Sequence, residues 1–334
     1  MDQKIIVTEE HPFLSSTRKD LNERNRKYEL KWTPASQLKA KDYLAIPINR
    51  TVQTLPSIVV QAPFRGSLED VVVPSTPEFF RLAGYFLAEG SVDNRGYIYL
   101  SFDVAERAWL ADAKRLFKIV FGVERFYESI HAQNHGVSLI VSSAKLARAF
   151  AQLFGDSAAT RRIPQWMLLE ALAKQKQLVL GYFRGDGNYY CQQNKHGRKE
   201  IFRLTTVSPM LARQVKDLVL RFNIAASLNK RIRTHEGRQT MYVVCIGGEY
   251  AIPFGKRVGR RVTAQLHKKN GFPLLLSLPL GQLTLADYLP IRLRLYICPY
   301  MVQMALYASR LYCHPRHHNG PKQQYLPEWN SRLR

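Results

Sequence analysis

Two carboxylates stand at the same place in a nine-residue pattern that this chain writes twice. Residues 82–90 read Leu-Ala-Gly-Tyr-Phe-Leu-Ala-Glu-Gly and residues 179–187 read Val-Leu-Gly-Tyr-Phe-Arg-Gly-Asp-Gly, which puts Glu89 and Asp186 in equivalent positions 97 residues apart (186 − 89). One helix ending in acid-Gly is ordinary. Two copies are informative, because a repeated motif implies a repeated fold unit. Carboxylates that such a repeat brings together form an oxygen-donor site for a divalent metal ion.

The elements that position these acids are helices. Thr76-Pro77-Glu78 is a helix start, with a hydroxyl N-cap, proline at the first helical position and an acid in the first turn. Gly90 is a stop, since glycine takes the left-handed conformation without a Cβ penalty. Each acid then sits at the negative end of its helix, where a cation would neutralise it. Gly84 with Ala88, and Gly181 with Gly185, are small residues four apart on one helix face. They let two backbones approach closely. Packing along these faces sets Glu89 beside Asp186.

The pattern around each motif repeats too. After Gly90 comes a hairpin with its turn near Asn94-Arg95-Gly96, then a helix over 105–121, strands over 123–131 and 136–142, and a helix over 143–154. After Gly187 the order returns: strands over 188–194 and 200–207, a helix from Pro209 to Phe222, strands over 224–233 and 239–246, and a helix after Gly248. Each half reads αββαββα. Helices on one side of four antiparallel strands leave the other face of the sheet open.

Charge indicates what meets that face. The 334 residues include 49 Lys plus Arg against 26 Asp plus Glu, a formal net charge of +23, and a field of that sign attracts polyanions, nucleic acid above all. With 46% hydrophobic residues the chain can bury two or three domain cores. No stretch is long and apolar enough to span a bilayer, and Met1-Asp2-Gln3-Lys4 lacks a signal-peptide layout. Cys191, Cys245, Cys298 and Cys313 are scattered without a disulfide framework, so an intracellular, reducing compartment is expected. Cys298, Cys313, His314, His317 and His318 lack the spacing of a structural zinc site.

On the strands and turns of the second half, Gln193, Lys195, Arg198, Lys199, Arg203, Asn229, Arg231, Arg233 and Arg238 gather. Arg and Lys meet phosphates there, and Arg, Asn and Gln also read base edges in a major groove. A solvated sheet face is the alternative for any one of them.

The paired nonamers, the helix-strand-strand repeat and the charge resemble the LAGLIDADG homing endonucleases in their two-motif, single-chain form. The resemblance implies an α+β fold in which two pseudo-twofold-related αββαββα subdomains form a β-saddle over double-stranded DNA, one chain sufficing as a monomer. It implies that Glu89 and Asp186 are catalytic acids that hold divalent metal, Mg²⁺ with Mn²⁺ or Ca²⁺ able to substitute for binding. Gly84, Ala88, Gly181 and Gly185 match the helix interface. One phosphodiester on each strand would be hydrolysed, with a basic residue supporting the transition state. The family has lysine there; this chain offers Arg161 or Arg162 in the first half and Lys256 in the second. An arginine can only stabilise charge, since it does not readily lose a proton.

Arg161-Arg162-Ile163-Pro164 before the second motif, and Leu204-Thr205-Thr206-Val207-Ser208 after it, resemble segments of endonucleases embedded in inteins. Thr8-Glu9-Glu10-His11-Pro12 resembles the Thr-x-x-His block of intein splicing (Hint) domains, and Trp32, Ala35, Leu38, Lys39, Asp42 and Pro47 match the pattern downstream of that block. Neither Cys nor Ser precedes Thr8, and His318-Asn319 is followed by Gly320. The expectation is therefore a β-rich splicing-domain remnant marked by Thr8 and His11, not an active splicing element. The domain reading is 1–55 remnant, 56–73 linker, 74–165 and 166–262 the two subdomains, and 263–334 a basic extension with only Asp287 and Glu328 as acids. A catalytically weak DNA- or RNA-binding protein, maturase or regulator, is the competing function.

Overall fold

The computed structural model describes residues 6–16, 21–22, 27–28, 30–39, 42–64, 67–131, 135–194, 197–232, 240–247 and 250–255. They fall into two compact units, one up to Ile46 and one from Pro47 onward.

The first unit contains strands β1 (Pro12–Ser16), β2 (Leu21–Asn22), β3 (Lys27–Tyr28), β4 (Lys31–Pro34) and β5 (Tyr43–Leu44). β1 is the centre of an antiparallel sheet of order β4-β1-β5, while β2 and β3 pair with each other. Ala35 and Leu38 are buried, and the Asp42 carboxylate accepts from Lys39 N at 2.8 Å to close the turn between them and β5.

The second unit opens on a hairpin of β6 (Ser57–Phe64) and β7 (Ser67–Pro74), in the segment whose composition reads as a linker. Then follow α1 (Pro77–Glu89), β8 (Gly90–Val92), β9 (Tyr97–Asp103), α2 (Arg107–Phe121), β10 (Tyr127–His131), β11 (Gly136–Ser142) and α3 (Ala144–Phe154). A short α4 (Gln165–Leu169) leads to α5 (Leu172–Asp186), β12 (Gly187–Asn194), β13 (Gly197–Thr206), α6 (Pro209–Arg221), β14 (Ser227–Arg231), β15 (Met241–Gly247) and α7 (Ala251–Phe254). The sheets have orders β8-β9-β11-β10 and β12-β13-β15-β14, one topology used twice. The αββαββα order read from the sequence is thus the observed one, with β10 and β14 shorter than their periodicity indicated.

Side-chain alternation explains the layers. In β9, Ile98, Leu100 and Phe102 are buried while Tyr97, Tyr99 and Ser101 lie on the opposite face; in β13, Phe202 and Leu204 are buried opposite Arg203 and Thr205. The buried faces meet the helices through aromatic rings, with Tyr85 and Phe102 centroids 5.8 Å apart in the first repeat and Phe202 and Phe254 5.2 Å apart in the second. The hairpin adds Val60, Ala62, Val71 and Val73 to the same core.

The caps follow the sequence, with one correction. Thr76 Oγ1 accepts from Phe79 N at 3.3 Å, Pro77 opens α1, and Ser208 Oγ accepts from Leu211 N at 3.1 Å to start α6. Gly90 and Gly187 are not left-handed stops: their φ values are −80° and −84°, and each begins a strand. Glycine is required there by close approach, because a Cβ at either position would collide with the carbonyl and ring of Phe86 or Phe183. Left-handed residues follow α2 at Gly122, φ 67°, and α6 at Asn223, φ 60°.

The two motif helices touch through their backbones. A Cβ on Gly84 would fall within 3.0 Å of Leu178 O, Tyr182 N and Gly181 Cα, and one on Gly181 would collide with Arg81 O. At the helix starts, the fully buried Glu170 accepts from Ser75 Oγ at 2.6 Å and Leu55 N at 2.8 Å and pairs with Lys174 Nζ at 3.0 Å. Burial pushes this carboxyl up, but the bonds from Ser75, Leu55 and Lys174 outweigh it and hold the pKa below the ordinary value. Arg221 adds bonds to Thr51 O and Glu170 O.

Gly→Ala in a helix interior ordinarily stabilises by about 1 kcal/mol. At Gly84 or Gly181 the added methyl meets backbone that cannot move aside, so the sign reverses and a net loss of about 1–3 kcal/mol is expected. Denaturant melts of Gly84→Ala, Gly181→Ala and Gly185→Ala check this; the last should cost least, because its new methyl meets side-chain atoms of Ala88 and Glu89.

Candidate functional site

The helix contact delivers the acids. Gly185 lies against Ala88, and a Cβ on it would stand 2.8 Å from both Cγ and Oε1 of Glu89. The Glu89 side chain therefore rests over the last turn of α5, one residue before Asp186. Gly84, Ala88, Gly181 and Gly185 form the interface that their spacing indicates.

Glu89 and Asp186 are half-buried, and neither has a hydrogen-bond or ion-pair partner among the described residues. Burial pushes Glu89 up to about 7, with the charge of Glu106 adding to it. Burial pushes Asp186 up to about 8, assisted by Glu89 and opposed by Arg161. Glu106 lies at the start of α2, where it accepts from Asp103 N at 3.1 Å. Nothing in the sequence signals its approach to Glu89.

Two desolvated carboxylates without donors fit a hard divalent cation that keeps most of its waters and takes further oxygens from a substrate. They do not make a closed protein cage: among the described residues no three His, Cys, Asp or Glu side chains gather as metal ligands.

Of the two expected arginines, the structure brings one near Asp186. Arg161 is buried, donates to Gly155 O at 2.6 Å and to Gly90 O, and lies 4.4 Å over the Phe86 ring. Burial lowers its pKa to about 10 against the charges of Asp156 and Asp186. Arg162 is exposed and donates to Gln152 O at 2.7 Å. Both side chains alternate along one extended segment, so only one can face the core. Lys256 lies outside the described residues.

The outer sheet faces differ. In the second repeat, register puts Arg203, Thr205, Asn229 and Arg231 on one face; Asn229 and Arg231 are exposed, and the Arg203 guanidinium lies 5.6 Å from the Tyr190 ring centroid. Gln193 and Arg198 are ladder partners, as are Gln192 and Lys199, with side chains outside the described set. Lys195, Arg233 and Arg238 also lie outside it. The corresponding face of the first repeat carries Tyr97, Tyr99, Ser101, Ser138 and His131, joined by Ser101 Oγ to Ser138 Oγ at 3.2 Å and His131 Nε2 to Ser138 Oγ at 3.1 Å. In the other unit, Thr8 O accepts from His11 N at 3.2 Å, closing a turn around the Thr-x-x-His residues.

A repeated α+β unit, two glycine-packed helices and an unpartnered acid at the end of each define a two-repeat, helix-paired architecture. Residues 77–155 and 173–259 both match the family model described as a LAGLIDADG-like domain; the chain carries that domain twice. Curated relatives include an uncharacterized protein of Methanocaldococcus jannaschii, 24% identical over 69% of this chain and 31% of that protein. They also include the ATP-dependent DNA helicase Hel308 of Thermococcus kodakarensis, 27% identical over 53% of this chain and 16% of the helicase. A third is the DNA gyrase A protein of Mycobacterium kansasii, 24% identical over 58% of this chain and 32% of the gyrase chain. The chain thus spans about a third or less of the length of the curated relatives it matches. Similar solved structures include the homing endonuclease I-DmoI in complex with DNA and Mn, at 14% identity and a TM-score of 0.41 over 55% of this chain and 97% of that one. Another is the N-terminal LAGLIDADG domain of DUF199/WhiA, at 12% identity and a TM-score of 0.35 over 60% of this chain and 85% of that one. No described helix is long and apolar enough to cross a membrane.

The raised carboxyls give a pH signature. Both bind a proton more tightly folded than unfolded, so the folded state holds extra protons from about pH 4 to about pH 8 and stability falls as pH rises through that window. In metal-free protein, Glu89→Gln with Asp186→Asn should flatten this decline in a series of thermal melts. Added Mg²⁺ at pH 8 should raise the melting temperature of the parent but not of the double variant.

Proposed function

We propose that this chain is a site-specific endonuclease that hydrolyses one phosphodiester on each strand of double-stranded DNA, using divalent metal at Glu89 and Asp186. The observation that carries the reading is the pair of half-buried, unpartnered acids on two backbone-packed helices. Their desolvation opposes ionisation unless a cation joins them. When bound, a divalent ion would supply Lewis-acid polarisation of the scissile phosphate and a nucleophile of lowered pKa. The chain's own residues do the rest: Gly84 and Gly181 fix the acids, Arg161 sets the end of α1 through Gly90 O and adds positive charge near Asp186, and the two sheets position the duplex.

The repeated units form the pseudo-twofold saddle of this reading, one chain supplying both halves, so a monomer suffices. Mg²⁺ is the working ion, because it retains water and needs few carboxylates. The chain is of the intein-embedded kind: its similarity extends over 16% of a helicase and 32% of a gyrase chain, as expected of a segment carried inside unrelated proteins. Thr8 and His11, on a turn within a small β unit, are the splicing-domain remnant.

A plasmid-library cleavage assay with Mg²⁺ tests the reading. Parent protein should linearise selected plasmids, while Glu89→Gln and Asp186→Asn should each lower cutting of one strand about 100-fold or more and leave nicked circles. Binding of duplex DNA with no cleaved site in the library would sink the proposal in favour of a regulator or maturase. Arg203→Ala and Arg231→Ala should each weaken DNA binding and reduce the slope of log affinity against log salt by about 1, if these side chains meet phosphates.

A further inference from the structure

The two acids stand on helices that are anchored differently. The sixth residue of the second nonamer is Arg184, where the first has Leu87. From α5 the Arg184 guanidinium crosses to the first repeat, donating to Asp112 Oδ2 of α2 at 2.9 Å and to the Tyr85 hydroxyl of α1 at 2.5 Å. The Tyr85 hydroxyl donates in turn to the same Asp112 oxygen at 3.0 Å. Arg81 of α1 reaches Asp112 at 3.3 Å and grips Gln177 of α5 at 2.8 and 2.6 Å, and Arg115 takes the other Asp112 oxygen at 2.7 Å.

This is no loose surface pair. The side chains of Arg184 and Asp112 are 19% and 15% exposed, and Tyr85 is fully buried. Removing one member leaves charge that solvent screens poorly. On the other side of the helix pair, Tyr182, the counterpart of Tyr85, gives its hydroxyl to the main-chain carbonyl of Thr205 at 3.3 Å, and the buried Leu87 takes the place of the arginine.

Arg184 precedes Asp186 by two residues, in the last turn of α5. We propose that Arg184 and Asp112 are positioning residues for the centre at Asp186, holding that turn against α1 and α2, whereas Glu89 is held through the bond from Arg161 to Gly90 O. The proposal rests on the endonuclease reading and adds to it that the two strand-cutting centres are braced by different side chains.

The test is Arg184→Leu, which installs the residue of the first copy, beside Asp112→Asn and Arg184→Lys. Cleavage is resolved strand by strand, Mn²⁺ binding is followed by electron paramagnetic resonance, and folding is followed by thermal melts. Arg184→Leu should slow by about 10- to 100-fold the strand that Asp186→Asn abolishes, and slow the other strand several-fold less. It should also weaken the Mn²⁺ site that Asp186→Asn removes. Arg184→Lys, keeping charge toward Asp112, should recover part of both. Equal slowing of the two strands, or parental rates on both, overturns the proposal. If Arg184→Leu does not fold, Asp112→Asn and Arg184→Lys carry the same comparison. If the parent protein cuts no DNA, the endonuclease reading fails on its own, and unchanged Mn²⁺ affinity in Arg184→Leu still overturns the positioning role.

Discussion

The backbone contact between α1 and α5 governs the rest of the structure. Gly84 and Gly181 let the helices meet main chain to main chain, where even one methyl would fall within 3.0 Å of a carbonyl. Such proximity sets the spacing of everything that projects from the helix ends. It lays Glu89 over Gly185, takes part of the water from both acids, and leaves them without a hydrogen-bond or ion-pair partner among the described residues. The raised carboxyl pKa values are a consequence of this packing. The buried Glu170 with its bonds to Ser75 and Leu55 fastens the opposite end, so the pair is held at both extremities.

Within that frame the two repeats have diverged. They share strand order and helix order, yet the outer face of one carries tyrosine, serine and histidine while the other carries Arg203, Asn229 and Arg231. A face built mainly of hydroxyls contributes little long-range attraction to a polyanion and must rely on short-range hydrogen bonds. A cationic one draws it in at distance and loses that pull as salt rises. The helix ends differ likewise: an aromatic-backed arginine fixes one, and a shared carboxylate fixes the other. The inequality extends from the acids themselves to the surfaces that surround them.

Much of this is legible in the sequence because it depends on local rules. The nonamer repeat, the hydroxyl caps at Thr76 and Ser208, and the alternation of Ile98, Leu100 and Phe102 each express a constraint acting within a few residues. The small residues at 84, 88, 181 and 185 share a helix face by spacing alone. Gly90 and Gly187 show the limit of such reasoning. Glycine after a helix reads as a left-handed stop, but the backbone there is extended and the requirement comes from the Phe86 and Phe183 rings folding back over the chain.

The amino-acid sequence by itself determined the repeat, the order of elements, the pairing face and the identity of the two acids, since periodicity and capping are properties of neighbouring residues. Tertiary structure alone decided which arginine of the Arg161-Arg162 pair turns inward, that Glu106 comes close enough to burden Glu89, and that Asp112 gathers Arg81, Arg115 and Arg184. It also turned the segment read as a linker into a hairpin packed on the core. Burial and charge proximity depend on distances between residues far apart in the chain, and those distances exist only once the helices have packed.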